Sequence, residues 1–300
     1  MRLQSTFFAT ALCVLSLTAC AQTPKDAAAA IPSLEAPAYA PPEPLQLAGE
    51  TLRVYDAPEA DQGVAVDDAY FYPIDNYVIG KYEIATGKLV GRWVGEKGGL
   101  IGHLNSCYAD AGRLLCANSN YPHAPMGSSV EIFDAETMTH VDSHSLGMTE
   151  EGSLTWFADY ADGRIVAFAH YDQKGVPFKD HRYSSVTTVD KDWRRTGGWL
   201  FPEAIVERMA PHAASGGAIG PDGLLYIMGH DRPEMYVLAR PTMGPTLVHV
   251  ATIAVEAEGQ AFAFAPGEER IVYVIDRRKF LVRQVRLPEV PLERKDARRF

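Results

Sequence analysis

A hairpin-like segment recurs five times along this 300-residue chain. Each copy pairs two short β-rich runs across a turn that contains Asp, Gly or Pro. The copies begin near Gly63, Leu104, Ser153, Gly216 and Gly259. Repetition at a period of roughly 40 to 60 residues is typical of units stacked in a line or arranged around an axis. The repeat therefore predicts an all-β protein built as a single β-propeller with five blades.

A third β-rich run follows each hairpin, and a fourth run follows the third in four of the five copies. The fifth copy lacks it, because Leu287 is followed by Pro288 and a charged tail. The unpaired run LRVYD at 52–56 can take that place, which joins both ends of the chain in one sheet and removes an exposed edge. We expect five four-stranded blades over 51–288, with one short helix at 202–209 in a loop between the third and fourth blades.

Residues 1–19 have the features of a bacterial secretion signal. Arg2 precedes an apolar run that ends at Leu17 and is too short to span a bilayer as a helix. The sequence LTAC that ends at Cys20 resembles the lipobox of bacterial lipoproteins, which implies that Cys20 carries acyl chains such as palmitate. An uncleaved anchor and a plain secretory peptide are the alternatives.

We interpret the segment 20–50 as a flexible, lipidated tether. It is rich in Ala and Pro, and as far as Pro44 it shows no periodic pattern of hydrophobic residues. The residue after the cysteine is Ala21 rather than Asp, which resembles lipoproteins destined for the outer membrane. We therefore expect the protein in the cell envelope, anchored by lipid to the outer membrane and facing the periplasm.

The charge of the chain is negative overall, with a formal net value of −10, but it is unevenly distributed. The last segment, 277–300, holds nine Lys or Arg residues against three acidic residues. An acidic body argues against nucleic acid as a partner. We interpret the basic end as a solvated strand face followed by a frayed basic tail at 289–300, rather than as a binding patch.

Two cysteines flank the second hairpin turn. A two-residue turn at Ala111 and Gly112 brings Cys107 opposite Cys116 on a non-hydrogen-bonded site, where Cα atoms approach to about 4.5 Å. A disulfide can bridge that separation, and an oxidising periplasm permits it. Two buried free thiols on one hairpin are the alternative.

Three segments, IGKYEIATGKLVGRW, VEIFDAETMTHVDS and GPDGLLYIMGHD, resemble the broad superfamily of bacterial propellers that includes quinoprotein-like, NHL-type and gluconolactonase-like proteins. The resemblance covers 52–287 and implies a propeller, but it says little about chemistry, since this fold hosts enzymes, binding modules and scaffolds alike. The tryptophan-docking pattern of pyrroloquinoline-quinone enzymes is missing, which argues against a redox cofactor of that kind.

Polar residues gather at the ends of the five hairpins. In a propeller, the inner strand leaves from one mouth of the axis and the second strand returns to the same mouth, so both ends of each hairpin face one funnel. The starts carry Gln62, His103, Asn105, Ser215, Glu258 and Gln260, and the returns carry Asp75, Asn118, His123, His170, Asp172, His230 and Asp231. His212 lies just before another start. We expect these residues to form one site.

His103, His170 and His230 are the candidate catalytic residues, because imidazole titrates near neutrality and can move a proton to or from a substrate. The alternative is that each ring only caps neighbouring strands through hydrogen bonds. His230 and Asp231 are adjacent in sequence, and adjacent strand residues point to opposite faces, so we do not expect them to form a dyad.

The segment EGQ at 258–260 is similar to the EGP segment that opens a blade in gluconolactonase-like proteins and supplies a carboxylate to a divalent metal. The resemblance implies a metal role for Glu258. One carboxylate with amide oxygens from Asn105 or Asn118 would suit Ca²⁺, whereas several imidazoles would suit Zn²⁺. The alternative is that Glu258 is a hydrogen-bonded structural residue.

Long connections at 118–128, 171–183 and 199–214 lie on the same mouth and predict a lined pocket. The candidate ligand-binding residues are Asn105, Asn118, Tyr121, His123, His212 and Gln260. We favour an enzyme of the lactonase, cycloisomerase or lyase type that acts on a small carbohydrate-derived or carboxylated substrate. A non-catalytic lipoprotein that binds a small ligand or a protein partner is the alternative.

Overall fold

The computed structural model of the protein describes three ranges of the chain, 39–170, 178–267 and 270–300. The chain divides into two units, Met1–Pro42 and Glu43–Phe300. Of the first unit only residues 39–42 are described, and they form neither helix nor strand. Within the described ranges, no helix combines the length and the apolar character needed to cross a bilayer.

Several sequence predictions fall on residues outside the described ranges. They are the signal peptide at 1–19, the lipidated Cys20, the tether as far as residue 38, Asp172, and the part of the connection at 171–183 that precedes residue 178. All of these stay predictions.

Residues 43–300 form a five-bladed β-propeller, as predicted. Four consecutive strands pair antiparallel in each of the first four blades, and in the fifth blade three consecutive strands are joined by a strand from the N-terminal part of the chain. The strands of the first three blades are β3 (Gly63–Val66), β4 (Tyr70–Asp75), β5 (Val78–Glu83) and β6 (Leu89–Val94); β7 (Leu104–Asp110), β8 (Arg113–Ser119), β9 (Gly127–Asp134) and β10 (Thr139–Met148); and β11 (Ser153–Tyr160), β12 (Gly163–Ala169), β13 (Ser185–Val189) and β14 (Arg195–Leu200). Those of the last two are β15 (Gly216–Ile219), β16 (Leu225–Met228), β17 (Glu234–Pro241) and β18 (Val248–Ala254); and β19 (Ala263–Phe264), β20 (Ile271–Asp276), β21 (Leu281–Arg286) and β2 (Glu50–Asp56).

The five innermost strands close a ring around the axis. Contacts run from β3 to β7, from β7 to β11, from β11 to β15, from β15 to β19 and back from β19 to β3. The innermost strand Gly63–Val66 is buried along its whole length, whereas the outermost strand of the same blade, Leu89–Val94, alternates between exposed and partly buried residues. A strand covered on both faces by neighbouring blades must be apolar on both faces, which explains the unbroken apolar runs of the inner hairpins.

The N-terminal strand β2 closes the propeller, as the sequence predicted. It pairs antiparallel with β21 and supplies the fourth strand of the fifth blade. Tyr55 of this strand is 5% exposed, and its ring packs against Phe71 of the first blade at 4.6 Å between centroids. Phe71 also stacks on Tyr82 and Tyr273, so one aromatic cluster joins the first and last blades. Burial of each such ring stabilises the closed ring by roughly 1.5–3 kcal/mol.

The folded body extends beyond the predicted bounds at both ends. A strand β1 (Leu45–Ala48) pairs parallel with β18, within the segment 20–50 that we assigned to a tether. A two-residue strand β22 (Ala297–Arg298) pairs with β17 in the tail that we expected to fray. The edge strand β18 offers unpaired backbone groups to β1. The end of the tail also packs through Phe300, whose ring lies 5.6 Å from that of Trp199. Neither attachment has a periodic pattern long enough to be recognised from sequence.

The short helix α1 (Glu203–Met209) lies between the third and fourth blades, as predicted, and buries Ile205, Val206 and Met209. The second hairpin has the predicted register, with Cys107 opposite Cys116. The two sulfur atoms form a disulfide, with Cα atoms 4.0 Å apart. Of the two alternatives, the disulfide is therefore the one that the structure contains.

Candidate functional site

The ends of the five inner hairpins surround one cavity of about 520 Å³. Residues from the start and from the return of every blade line it, as the repeat predicted. The polar side chains of this central cavity are Asp61, Gln62, Asn76, His103, Asn105, Ser119, Tyr121, Ser153, Thr155, His212, Ser215, His230, Gln260 and Arg277. A lining of this polarity and a cavity of this size suit a small hydrophilic ligand.

His103 is held in one tautomer by a neighbouring amide. Its Nδ1 lies 2.6 Å from Oδ1 of Asn76, and Nδ2 of Asn76 donates to Oδ1 of Asp75 at 2.9 Å. Because the Asp75 carboxylate can only accept, the amide orientation is assigned, and Nδ1 of His103 must be the donor. The Nε2 atom of His103 therefore keeps its lone pair. Burial lowers the pKa of His103 to about 4, so the ring is neutral at pH 7.

His212 and His230 stack on each other and share one carboxylate. Their ring centroids are 3.9 Å apart. Nδ1 of His230 lies 2.7 Å from Oδ1 of Asp231, and Nδ1 of His212 lies 3.1 Å from Oδ2. Burial lowers the pKa of His230. Burial alone would raise the pKa of Asp231, but the hydrogen bonds from the two histidines outweigh it and hold that pKa below its usual range.

The contact between His230 and Asp231 corrects the expectation that these adjacent residues point apart. The strand β16 ends at Met228, and residues 230–233 form bends instead of extended strand. Alternation of side chains across a sheet does not apply outside a strand. The two residues therefore form the pair that strand geometry alone would forbid.

Arg277 brings a cation into the central cavity. Its Nη1 lies 2.8 Å from Nε2 of His230, and its Nη2 lies 3.4 Å from Oδ1 of Asp61. A guanidinium only donates, so Nε2 of His230 accepts and Nδ1 carries the proton given to Asp231. We expected the segment 277–300 to be a solvated face. That expectation is wrong for Arg277, the first residue of the segment, because it lines the central cavity. The strand β20 ends at Asp276, which makes Arg277 the return residue of the fifth hairpin.

Amide and hydroxyl groups complete the lining. Nε2 of the buried Gln260 donates to Oε1 of Gln62 at 3.3 Å. Asn105, with its amide nitrogen facing acceptors, donates to the backbone oxygen of Ser215 at 3.0 Å. The hydroxyl of Ser153 is buried and has no hydrogen-bond partner among the described residues. It is a polar group at the cavity wall that a ligand can satisfy.

One expected catalytic residue, His170, and the expected metal ligand, Glu258, lie outside the cavity lining. His170 is 1% exposed, and its Nε2 lies 3.3 Å from the backbone oxygen of Glu150. The preceding residue, Ala169, lines the central cavity instead. Burial lowers the pKa of His170, but the ring does not face the site. Oε2 of Glu258 lies 2.6 Å from Nε of Arg278, so its carboxylate is engaged in an ion pair beside the site.

Asn118 is buried and positions the loop that carries His103. Its Oδ1 accepts from the backbone nitrogen of His103 at 3.2 Å, and its Nδ2 donates to Ser129 at 3.0 Å. His123 is exposed and lines a neighbouring groove of about 680 Å³. Tyr121 lines both this groove and the central cavity, with its ring 4.8 Å from that of His103. Of the three residues Asn118, Tyr121 and His123, Tyr121 alone lines the central cavity.

The sequence analysis missed six polar residues of the cavity lining, and most of them sit one position from a residue that it named or from a strand end. Asp61 precedes Gln62, Asn76 follows Asp75, and Ser119 follows Asn118. Arg277 follows the last residue of a strand. Widening the rule for hairpin ends by one residue on each side would have found these four. The other two are Ser153 and Thr155, which belong to the start of the third inner strand.

The arrangement provides the groups for chemistry at a carbonyl. His103 offers a neutral nitrogen that can accept a proton, and Arg277 offers donors that can stabilise negative charge on oxygen. Asp231 holds His230 in a defined tautomer, as an orienting carboxylate does in a catalytic pair. His212, His230 and Asp231 also present nitrogen and oxygen atoms of the kinds that ligate metals.

The fold and the site together define a five-bladed β-propeller with a polar, histidine-containing cavity. No family model matches the chain, and no curated protein sequence matches it. A glutaminyl cyclase from Myxococcus xanthus is structurally similar, with a TM-score of 0.56 and 13% identity over 83% of this chain and 100% of that one. The WD40 domain of Pan2 from Neurospora crassa covers 83% of this chain and 99% of its own, with a TM-score of 0.43 and 9% identity.

The likeness to the glutaminyl cyclase shows the propeller fold alone, because the sequence identity is low. The resemblance of the blade segments to quinoprotein-like, NHL-type and gluconolactonase-like proteins stays a prediction.

Proposed function

We propose that this protein is an enzyme that catalyses acyl transfer on a small polar substrate, and that cyclisation of an amino-terminal glutaminyl residue is the first reaction to test. One observation carries the proposal: the neutral imidazole of His103 and the guanidinium of Arg277 line the same small cavity. Attack on a carbonyl requires at least a base and a group that stabilises negative charge on oxygen, and this cavity holds both.

The proposed reaction begins when the substrate's α-amine attacks the carbonyl carbon of its own side-chain amide. Nε2 of His103 accepts the proton that the amine loses as the new C–N bond forms. Arg277 donates hydrogen bonds to the carbonyl oxygen while it bears negative charge. The bond to the original amide nitrogen then breaks, His103 returns the proton to that nitrogen, and ammonia leaves.

The choice of substrate rests on two supports. The fold is similar to that of a named glutaminyl cyclase along that chain's whole length. The cavity is polar and small, as a site for an amide or carboxylate should be. Lactone hydrolysis uses the same two roles, with water as the nucleophile and a ring oxygen as the leaving group, and it belongs in the same assay panel.

A catalytic role is also favoured by the convergence of the predicted residues. His103, Asn105 and His230 share the central cavity, whereas His170 and Glu258 do not. Three titratable or amide side chains around a small cavity favour chemistry over a wide, shallow funnel that only binds.

The test is an assay of the purified chain with glutaminyl peptides, measured as ammonia release, and with a panel of sugar lactones. We expect His103→Gln to lower kcat by a factor of about 10² to 10⁴. His123→Gln is the matched control, because that histidine is exposed and lies outside the central cavity. Wild-type turnover by the His103 variant would remove this residue from the mechanism.

A non-catalytic binding protein is the second candidate. The hydroxyl of Ser153, which has no hydrogen-bond partner within the described part of the chain, favours it. Such a hydroxyl can form a hydrogen bond with a bound ligand whether or not a reaction follows. If none of the panel is converted but a compound raises Tm and His103→Gln weakens that effect, the central cavity binds without catalysis. A small molecule or a protein partner then becomes the ligand to identify.

We propose further that the chain is a lipoprotein of the cell envelope, anchored through Cys20 and facing the periplasm from the outer membrane. The LTAC sequence supports this proposal, and so does the disulfide between Cys107 and Cys116, which suits an oxidising compartment. Labelling with palmitate should mark the wild type and not Cys20→Ser. Recovery of the label in the inner-membrane fraction would contradict the outer-membrane assignment.

A further inference from the structure

Two imidazoles and one carboxylate converge at the edge of the central cavity, and the proposed acyl transfer does not require them as a group. The donor atoms of His212, His230 and Asp231 all lie within 4.8 Å of one another. We propose that these three side chains bind one divalent transition metal ion of the zinc class. The site differs from the one expected from sequence, which was built around Glu258.

The spacing of the donor atoms suits a shared ion. Ligand atoms at about 2.0–2.2 Å from one Zn²⁺ lie roughly 3–3.5 Å apart in tetrahedral geometry. The Nδ1 atoms of His230 and His212 lie 2.7 and 3.1 Å from the two carboxylate oxygens of Asp231. Small side-chain rotations are therefore enough to place an ion between them.

The chemistry of the donors selects the class of metal. Two imidazole nitrogens and one carboxylate oxygen suit Zn²⁺ and neighbouring transition metals, whereas Ca²⁺ takes six to eight oxygen ligands. The Ca²⁺ alternative has no comparable support here, because Glu258 pairs with Arg278 and lies outside the cavity lining.

The site also keeps room for a further ligand. His212 and His230 line the central cavity, and the side chain of Asp231 is 43% exposed. Three protein ligands with an accessible fourth position are the arrangement found in catalytic zinc sites, in contrast to closed structural ones. Water or a substrate oxygen can therefore reach the ion.

Arg277 competes with the metal for His230. An ion on Nδ1 requires that the imidazole proton move to Nε2, and Nε2 then no longer accepts from the Arg277 guanidinium that lies 2.8 Å away. The two contacts are therefore mutually exclusive. Asp61, which already lies 3.4 Å from Nη2 of Arg277, can hold the guanidinium when His230 binds metal. Removal of the arginine should consequently tighten metal binding.

The test is a titration of the chelator-treated, purified chain with Zn²⁺ by calorimetry, together with Co²⁺ absorption spectra that report tetrahedral nitrogen and oxygen ligation. Neither readout uses turnover, so a failure of the proposed reaction leaves this result interpretable. We expect about one equivalent of Zn²⁺ and a rise in Tm. His212→Gln and Asp231→Asn should each weaken binding at least tenfold, and His123→Gln should leave it unchanged.

The variant Arg277→Met tests the competition between Arg277 and the metal separately from the existence of the metal site. Tighter Zn²⁺ binding than in the wild type supports the competition, and unchanged affinity overturns it. Absence of binding in both the wild type and Arg277→Met overturns the metal site, provided that circular dichroism shows both chains folded. Binding that survives in His212→Gln and in Asp231→Asn places the ion elsewhere and also overturns it.

Discussion

His103 donates its Nδ1 proton to Oδ1 of Asn76 across 2.6 Å. The partner is a neutral amide and not a carboxylate, and the nearby charge of Asp61 only partly offsets the cost of burying an imidazolium. The result is a ring whose pKa lies near 4 and whose Nε2 is available as a base at neutral pH. Two consequences can be measured directly.

The first consequence concerns Asn76, the hydrogen-bond partner of the His103 imidazole. Asn76→Asp preserves an oxygen acceptor at the same place but adds a negative charge, which stabilises the protonated ring. We expect the pKa of His103 to rise from about 4 towards or above the ordinary histidine value. Titration of His103 by NMR checks this without an assay of activity. An unchanged pKa would show that the hydrogen bond is not formed in solution.

The second concerns stability in acid. The pKa of His103 falls from 6.5 in the unfolded chain to about 4 in the folded one, so the unfolded state binds more protons between these pH values. Stability should therefore decrease as the pH falls from 6.5 to 4, with a contribution from this group on the order of 3 kcal/mol.

Urea unfolding at pH 7.5 and pH 4 checks the acid effect. His103→Gln should lose less stability over this interval than the wild type, and the exposed His123→Gln should behave like the wild type. Equal losses in all three chains would contradict the predicted shift.

The disulfide gives a third prediction. The two cysteines are separated by nine positions, and the cross-link removes loop-closure entropy worth about 2–3 kcal/mol from the unfolded chain. The double variant Cys107→Ala/Cys116→Ala should melt several degrees below the oxidised wild type. Dithiothreitol should lower Tm of the wild type and leave the double variant unaffected, which separates the bond from the side-chain change. An equal effect of the reductant on both chains would refute the assignment.

Closure of the ring gives a fourth prediction. Among the described strands, a chain that begins at Gly49 lacks β1 alone, whose residues are mostly exposed, and it should keep a cooperative thermal transition. A chain that begins at Ala57 also lacks β2, so it loses Tyr55 from the aromatic cluster and exposes β21 as an edge. We expect that chain to aggregate or to lose its sharp transition. Size-exclusion chromatography with circular dichroism distinguishes the two, and equal stability would mean that β2 is not needed for closure.

Much of the fold was predictable because it follows from local rules. The turn at Ala111 and Gly112 sets the register of the second hairpin, and Cys107 therefore faces Cys116. The same rule for hairpin ends located His103 and Gln260 at one mouth of the propeller. It was wrong about the placement of His170, because a difference of one residue at a strand end decides whether a side chain faces the axis.

The sequence by itself determined the number of blades, their order and the strand that closes the ring, since these depend on repeated turn chemistry and on apolar runs of strand length. The tertiary structure alone decided which side chains meet. Asp61 and Arg277 are 216 positions apart, and His212 reaches His230 through a loop that follows a helix. Contacts of this kind depend on how the ends of separate blades are brought together around the axis, and no local pattern of residues encodes that distance.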